Sequence, residues 1–271
     1  MKLNISIVLF NPKINQLEKT LNSLNFIQKY IHTVFLIDNS PVLNSYYKNL
    51  KHDNFDYLYI HNNKNIGYGA AHNIALKITH EQKLTNFHLV LNPDIYFNYD
   101  ICNEIFKLAL SDKNIANIMP RVLNPDSSEQ FLCKRLPRPI DKFGRRFLPL
   151  LYNDQRYLFK NLDNSKVYNI PSLSGCFMFL NIKNVYKLNF FDESFFMYEE
   201  DTDLSRRIFL SYKNIYLPKV FVYHTHNKES YSNFKLLLFH IKSIITYFCK
   251  YGWFFDGERK KINKKNNYEY A

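Results

Sequence analysis

Two acidic stations stand far apart in this chain. Asn92-Pro93-Asp94 closes an apolar run, and Glu199-Glu200-Asp201-Thr202-Asp203 follows the aromatic stretch Phe195-Phe196-Met197-Tyr198. A carboxylate at a strand end can hold Mg²⁺ or Mn²⁺, ions that usually share their shell with substrate phosphates. An aspartate beside an aromatic cluster can take a proton from a hydroxyl as a general base. Each motif also has a plain reading. Asn-Pro-Asp makes a turn, and acids gather at helix starts because the helix dipole favours them there. On a helix, Glu200, Asp203 and Arg207 fall on one face, where Asp203 and Arg207 can pair. Asp201 points about 100° away from Glu200 and is free to face a cleft.

Three further segments carry candidate chemistry. Asp38-Asn39-Ser40 follows an apolar run, and Asp38 there could accept hydrogen bonds from a base or ribose, or form an Asx-turn. Asn65-Ile66-Gly67-Tyr68-Gly69 precedes a helix pattern; its glycines let backbone approach a ligand, and a helix N-terminus favours negative charge. It matches neither GxGxxG nor a P-loop. His224 and His226 follow the last strand-like run, where an imidazole can complete a metal shell or touch a diphosphate, or simply be structural.

The elements needed to position these residues alternate. Leu3–Phe10, Thr33–Ile37, Tyr57–Ile60 and Phe87–Leu91 read as buried strands, with helical spacing at Leu17, Leu21 and Leu24 and again after Gly67. That rhythm predicts an α/β fold with a doubly wound parallel sheet, in which ligands bind beyond the carboxyl ends of the strands. Asn11, Asp38 and Asp94 lie just past such ends and are expected in one crevice. After about Pro120 the rhythm breaks, and residues 121–165 read as a long excursion over the site. Val167–Ile170, Cys176–Leu180 and Leu217–Tyr223 read as strands and Thr202–Leu210 as a helix. From Ser232 an amphipathic helix is expected, and residues 258–271 read as frayed and polar.

The chain has 271 residues, enough to bury a core, and a formal charge of +12. Basic residues crowd 134–146 and 250–265, which suggests contact with an anionic membrane surface or a pyrophosphate-bearing acceptor, or else solvated surface. The four cysteines show no paired spacing and read as free thiols in a reducing compartment. With no signal peptide and no apolar run near the ~20 residues of a spanning helix, the expectation is a cytoplasmic protein that can lie peripherally on the inner membrane face.

Taken in order, these motifs resemble glycosyltransferase family 2, inverting enzymes of the GT-A fold, and most of all its bacterial rhamnosyltransferases of O-antigen and cell-wall polysaccharide assembly. The series runs through Phe10-Asn11, Ile37-Asp38-Asn39-Ser40, Asn65 to Asn73, Leu91-Asn92-Pro93-Asp94-Ile95, Ser174-Gly175-Cys176, Phe191-Asp192-Glu193, Asp201-Thr202-Asp203-Leu204 to Arg207, and His224 with Ser230, and it covers Ile5 to about Trp253. The resemblance implies a mostly parallel Rossmann-like sheet flanked by helices. It implies a GT-A domain over 1–230, with a nucleotide-sugar half (1–120) and an acceptor half (121–230), and a basic amphipathic helical tail over 231–271. It assigns Asp201 as catalytic base. Asn11, Asp38, Asn65, Gly67 and Asn92 fall on the donor nucleotide, Asp94 and His224 on a divalent metal (Mg²⁺ or Mn²⁺), and Gly175 and Glu200 on the acceptor side. Asn92 replaces the first Asp of the family's DxD, and of Thr-Tyr-Asn after strand one only Asn11 is kept. The Gln-x-x-Arg-Trp of processive members is absent, so one sugar per acceptor is expected.

The activity implied is transfer of a single sugar, rhamnose from dTDP-rhamnose first, to a glycan or polyprenyl-diphosphate-linked acceptor. The alternatives are a UDP-dependent galactosyl-, glucosyl- or N-acetylhexosaminyltransferase. From other classes, a nucleotidyltransferase lacks its Gly-rich basic N-terminal loop here, and no nucleic-acid-binding motif accompanies the positive charge.

Overall fold

The computed structural model describes residues 1–147, 153–225, 234–265 and 267–270, with backbone alone for 145–147. His226 and Ser230 of the sequence series lie outside the described residues.

Nine strands form one sheet: β1 (Leu3–Leu9), β2 (Ile31–Asp38), β3 (Asp56–His61), β4 (Phe87–Leu91), β5 (Ile95–Tyr96), β6 (Ile115–Leu123), β7 (Tyr168–Asn169), β8 (Phe177–Asn181) and β9 (Lys213–His224). Their order is β3-β2-β1-β4-β8-β6-β9-β5, with β7 also on β9. β1 to β4 run parallel, β8 opposes β4 and β6, and β9 again runs parallel to β6. β1, Leu-Asn-Ile-Ser-Ile-Val-Leu, is buried at every residue, as a central parallel strand covered on both faces must be. The helices are α1 (Ile14–Ser23), α2 (Ser45–Lys48), α3 (Tyr68–Glu81), α4 (Cys102–Ser111), α5 (Pro139–Phe147), α6 (Ile182–Tyr186), α7 (Glu200–Ser211), α8 (Phe234–Tyr251) and α9 (Gly257–Asn263). This is the expected α/β architecture of the GT-A type, with a parallel half carrying the N-terminal motifs. Among the described residues no helix is long and apolar enough to cross a membrane.

Two expectations are corrected. The strand rhythm does not end at Pro120, because β6 continues to Leu123. Its pairing with β9 shifts register between Pro120 and Arg121, and a proline is tolerated in a strand at such an irregularity. Nor are the described residues of 258–271 frayed. Asp256 caps α9 by accepting from the Arg259 backbone N–H at 2.9 Å, Arg259 is buried, and the Tyr268 carbonyl accepts from the Asn169 amide at 2.8 Å. The Asn169–Tyr268 contact, like that of Arg259 with the Pro137 carbonyl, joins residues about a hundred positions apart, so no local periodicity announces it.

Under α3 the core is polar. His72 Nδ1 lies 2.7 Å from Ser6 Oγ, His88 Nε2 lies 2.9 Å from the same hydroxyl, and His88 Nδ1 lies 3.0 Å from Thr79 Oγ1. Burial lowers the pKa of both imidazoles, that of His88 to about 3.

Candidate active site

The ends of β1, β2 and β4 and the start of α3 meet at one edge of the sheet. Asp38, the last residue of β2, is fully buried; its Oδ1 accepts the Ser40 amide at 2.8 Å and its Oδ2 the Tyr59 hydroxyl at 2.6 Å. The Asx-turn is therefore present, and it aims the carboxylate. Ser40 Oγ in turn accepts the Asn11 amide at 2.8 Å. Asn39 ties this turn to the next loop: its amide donates to Asn65 Oδ1 and to the Gly67 carbonyl, each at 3.2 Å, and its Oδ1 accepts from Asn62 at 2.8 Å. Asn65 Oδ1 also accepts the Gly67 amide at 3.0 Å. Asn11, Asp38, Asn65 and Gly67 thus form one hydrogen-bonded rim. Gly67 has φ +96° and ψ 167°, a conformation closed to other residues, and a Cβ there would collide with the Phe196 carbonyl oxygen. That carbonyl accepts the Tyr68 amide at 2.9 Å.

Asn92-Pro93-Asp94 is a turn, with the Ile95 amide 3.3 Å from the Asn92 carbonyl. Beyond it, β5 pairs with β9 so that Ile95 faces His224, and Asp94 Oδ1 comes to lie 3.2 Å from His224 Nε2. Gln130 fixes the imidazole. Its amide nitrogen donates to Asn124 Oδ1 and to the His224 carbonyl, at 2.7 and 3.0 Å, so its Oε1 must accept from His224 Nδ1 at 3.0 Å. His224 Nε2 is thereby turned toward a carboxylate oxygen. Two such atoms facing each other suit a shared cation, and one imidazole with one carboxylate is a donor set that Mg²⁺ or Mn²⁺ accepts. No group of three or more His, Cys, Asp or Glu poised for a metal occurs among the described residues.

The second station lies directly across. Asp201 Oδ2 accepts the Gly175 amide at 2.9 Å, and its Oδ1 the Thr202 amide at 2.7 Å. The Tyr68 hydroxyl sits between the stations, 2.9 Å from Asn92 Oδ1 and 2.8 Å from the Gly175 carbonyl. The Asn92 amide donates to the Cys176 carbonyl at 2.9 Å. Two motifs more than a hundred residues apart are thereby joined through one phenol.

The acidic run divides into groups with separate work. Burial would raise the Glu199 carboxyl, but Lys142 at 2.7 Å and His240 at 3.6 Å outweigh it and hold the group at about 2. Glu199 and Tyr198 both adopt left-handed backbone, at φ 63° and 68°. Burial first, and the charge of Asp201 second, push the Glu200 carboxyl well above the usual range and favour its protonated form. Its Oε2 is buried with no hydrogen-bond partner among the described residues. Asp203 is scaffolding. It pairs with Arg207 at 2.6 Å as the spacing predicts, and it also accepts from Lys250 at 2.6 Å and Tyr251 at 2.7 Å. The basic segment is partly consumed in the same way: Lys142 by Glu199, Arg138 by Asp141 at 2.8 Å, and Arg135 by the Asn263 carbonyl at 2.8 Å. Sequence reading missed Tyr59, Gln130, Lys142 and the linking role of Tyr68. Only Tyr68 had a signal, its place between two motif glycines.

No family model matches the chain. It is 26% identical over 207 residues to the "Low-salt glycan biosynthesis hexosyltransferase Agl10" of Haloferax volcanii, which covers 75% of this chain and 61% of that protein. The chain thus spans about three fifths of the curated relative it matches. Among solved structures, it superposes on GalNAc-T7 bound to UDP, GalNAc and Mn²⁺ with a TM-score of 0.62 at 16% identity, covering 82% of this chain and 43% of the other. It superposes on the mannosyltransferase PcManGT of Pyrobaculum calidifontis, bound to GDP-Man and Mn²⁺, with a TM-score of 0.57 at 14% identity, covering 92% and 63%. The fold is the GT-A fold of glycosyltransferases.

Proposed function

We propose that this chain is an inverting glycosyltransferase that moves one hexosyl group from a nucleotide-diphosphate sugar to a hydroxyl of a glycan or lipid-linked glycan. The observation that carries the reading is the hydrogen-bonded path from the Asn92–Asp94 turn through Tyr68 and Gly175 to Asp201, along which Asp94 would serve the phosphate side and Asp201 would serve as base. The rim of Asn11, Asp38, Asn65 and Gly67 receives the nucleotide, with Asp38 accepting from the base. Asp94 and His224 would hold the divalent ion, Mg²⁺ or Mn²⁺, whose charge offsets that on the departing diphosphate. Asp201, oriented by the Gly175 amide, removes the acceptor proton as the hydroxyl oxygen attacks the anomeric carbon and the diphosphate leaves. Glu200, kept protonated, presents a donor to the acceptor side instead of a second negative charge. A UDP-hexose or UDP-N-acetylhexosamine fits the likenesses better than the dTDP-rhamnose expected from sequence, since the relatives are a hexosyltransferase, a UDP- and GalNAc-bound enzyme and a GDP-Man-bound enzyme.

The test is a panel of nucleotide sugars with Mg²⁺ or Mn²⁺, read first by thermal stabilisation and then by turnover. With the donor so identified, Asp201→Asn is expected to lower turnover by about 10²–10⁴ with donor binding intact, the span general-base help supplies. Asp94→Ala is expected to weaken metal-dependent donor binding. Full turnover in the first variant, or unchanged donor affinity in the second, refutes the respective role.

A further inference from the structure

One face of α8 is fully employed. Ile244, Tyr247 and Phe248 pack on Phe195, and Ser243 donates to the Met197 carbonyl at 2.7 Å, so this face holds the loop that leads into Glu199–Asp201. Beside it an apolar row turns outward, with Phe234, Leu238 and Ile245 exposed. Phe234, Leu238, Ile241 and Ile245 follow one another at spacings of four, three and four, and Phe234 is 73% exposed. The α8–α9 connection that follows adds Phe254 and Phe255, exposed to 81% and 98%. These two rings are displayed by a built turn. Gly252 takes φ +97° against the Phe255 carbonyl, and buried Arg259 ties the turn down by donating to the Gly252 and Trp253 carbonyls at 3.4 and 3.0 Å. Lys242 of α8 and Lys260, Lys261 and Lys264 at α9 are exposed, as is Glu258.

We infer that the outward face of α8 and the Phe254–Phe255 turn form a docking surface for an anionic lipid bilayer. An apolar row with exposed phenylalanines and lysines is the composition that settles into the headgroup region, with rings in the acyl boundary and ammonium groups on lipid phosphates. The charge decides against a second copy as occupant, because two copies would bring their lysines together. The helix does not span, so the attachment is peripheral. Because the buried face of α8 carries the loop before Asp201, docking holds the acceptor side of the cleft near the surface that would supply a lipid-linked acceptor. That consequence rests on the glycosyltransferase reading; the docking does not.

The test uses the full chain with phosphatidylcholine vesicles, with and without phosphatidylglycerol, read by co-sedimentation over a range of salt. The wild type is expected to bind the anionic vesicles and to lose binding as salt rises. Phe254→Ser with Phe255→Ser is expected to weaken binding by about tenfold or more, and Lys260→Glu with Lys261→Glu to weaken it and flatten the salt dependence. An unchanged unfolding midpoint confirms that each variant is folded. Absence of wild-type binding at low salt, or wild-type binding by the double phenylalanine variant, overturns the proposal. So does a lipid-independent dimer that the phenylalanine variant abolishes, since it assigns the face to a second copy. Vesicle binding by a protein that turns over no donor upholds the docking surface and removes only the enzymatic reading.

Discussion

Tyr68→Phe isolates the link between the two stations. The ring keeps its packing, edge-on to His72 at 4.5 Å and to Phe191 at 6.4 Å between centroids. Only the hydroxyl between Asn92 Oδ1 and the Gly175 carbonyl is lost. One such hydrogen bond contributes about 0.5–1.5 kcal/mol net, and a buried acceptor left without a donor costs about 1–3 kcal/mol. Gly175 is buried, so the expected loss of stability is about 1–3 kcal/mol. Burial holds the Tyr68 phenol well above its ordinary pKa, so it is a neutral donor throughout the working range and the loss is independent of pH near neutrality. If the phenol also positions Gly175, and through its amide Asp201, kcat falls as well; about 1.4 kcal/mol of lost transition-state stabilisation corresponds to tenfold. Urea unfolding gives the first quantity, and nucleoside-diphosphate release at saturating donor gives the second. A double-mutant cycle with Asn92→Ala is expected to show coupling of about 0.5–3 kcal/mol. Wild-type kcat alongside the full stability loss would make the hydroxyl a structural tie only, and no stability loss would refute the bridge itself.

Three further outcomes are expected. Gly67→Ala forces a side chain into a glycine-only conformation against the Phe196 carbonyl, costing about 1–3 kcal/mol before the clash is counted, and weaker donor binding is expected with it in calorimetry. Lys142→Met leaves Glu199 buried without its closest cation, a loss of about 3–5 kcal/mol that a lowered unfolding midpoint reports. Buried His72 and His88 have folded pKa values below the unfolded 6.5, so below that pH only the unfolded chain takes up their protons. The stability present above pH 6.5 then falls by about 1.4 kcal/mol per pH unit for each, for His88 down to about pH 3. His88→Gln is expected to remove about half of the extra loss between pH 7 and 5.5 seen in urea titrations, and an unaltered pH dependence in that variant refutes the assignment.

The parallel half of the sheet was legible because a strand covered on both faces reads as a mostly apolar run, as β1, β2 and β4 do despite Asn4, Ser6, Thr33 and His88 within them. The pairing of Asp203 with Arg207 and the separate direction of Asp201 followed from helical geometry alone. β6 was hidden by Pro120, which reads as a stop and is accommodated by a register shift with a strand about a hundred residues later. Within the site, the turn residues Asn11, Asp38 and Asn92–Asp94 sit where strand ends put them. The roles of Tyr59 on Asp38, Gln130 on His224 and Lys142 on Glu199 were not readable, since each arrives from a distant element; Tyr59 read only as part of a strand and Lys142 only as one of a basic cluster. The state of Glu199 was unreadable for the same reason: an acid at a helix start looks solvated until Lys142 and His240 are seen to enclose it.

The Tyr68 amide begins α3, where a helix has no carbonyl of its own to offer it, and its acceptor is the carbonyl of Phe196. Its hydrogen can therefore exchange with solvent only when the aromatic loop before Asp201 parts from the glycine turn. The protection of this single amide is a clock for that separation. It makes the glycine turn and the loop before Asp201 one cooperative unit, whose opening a hydrogen-exchange measurement can time without any substrate.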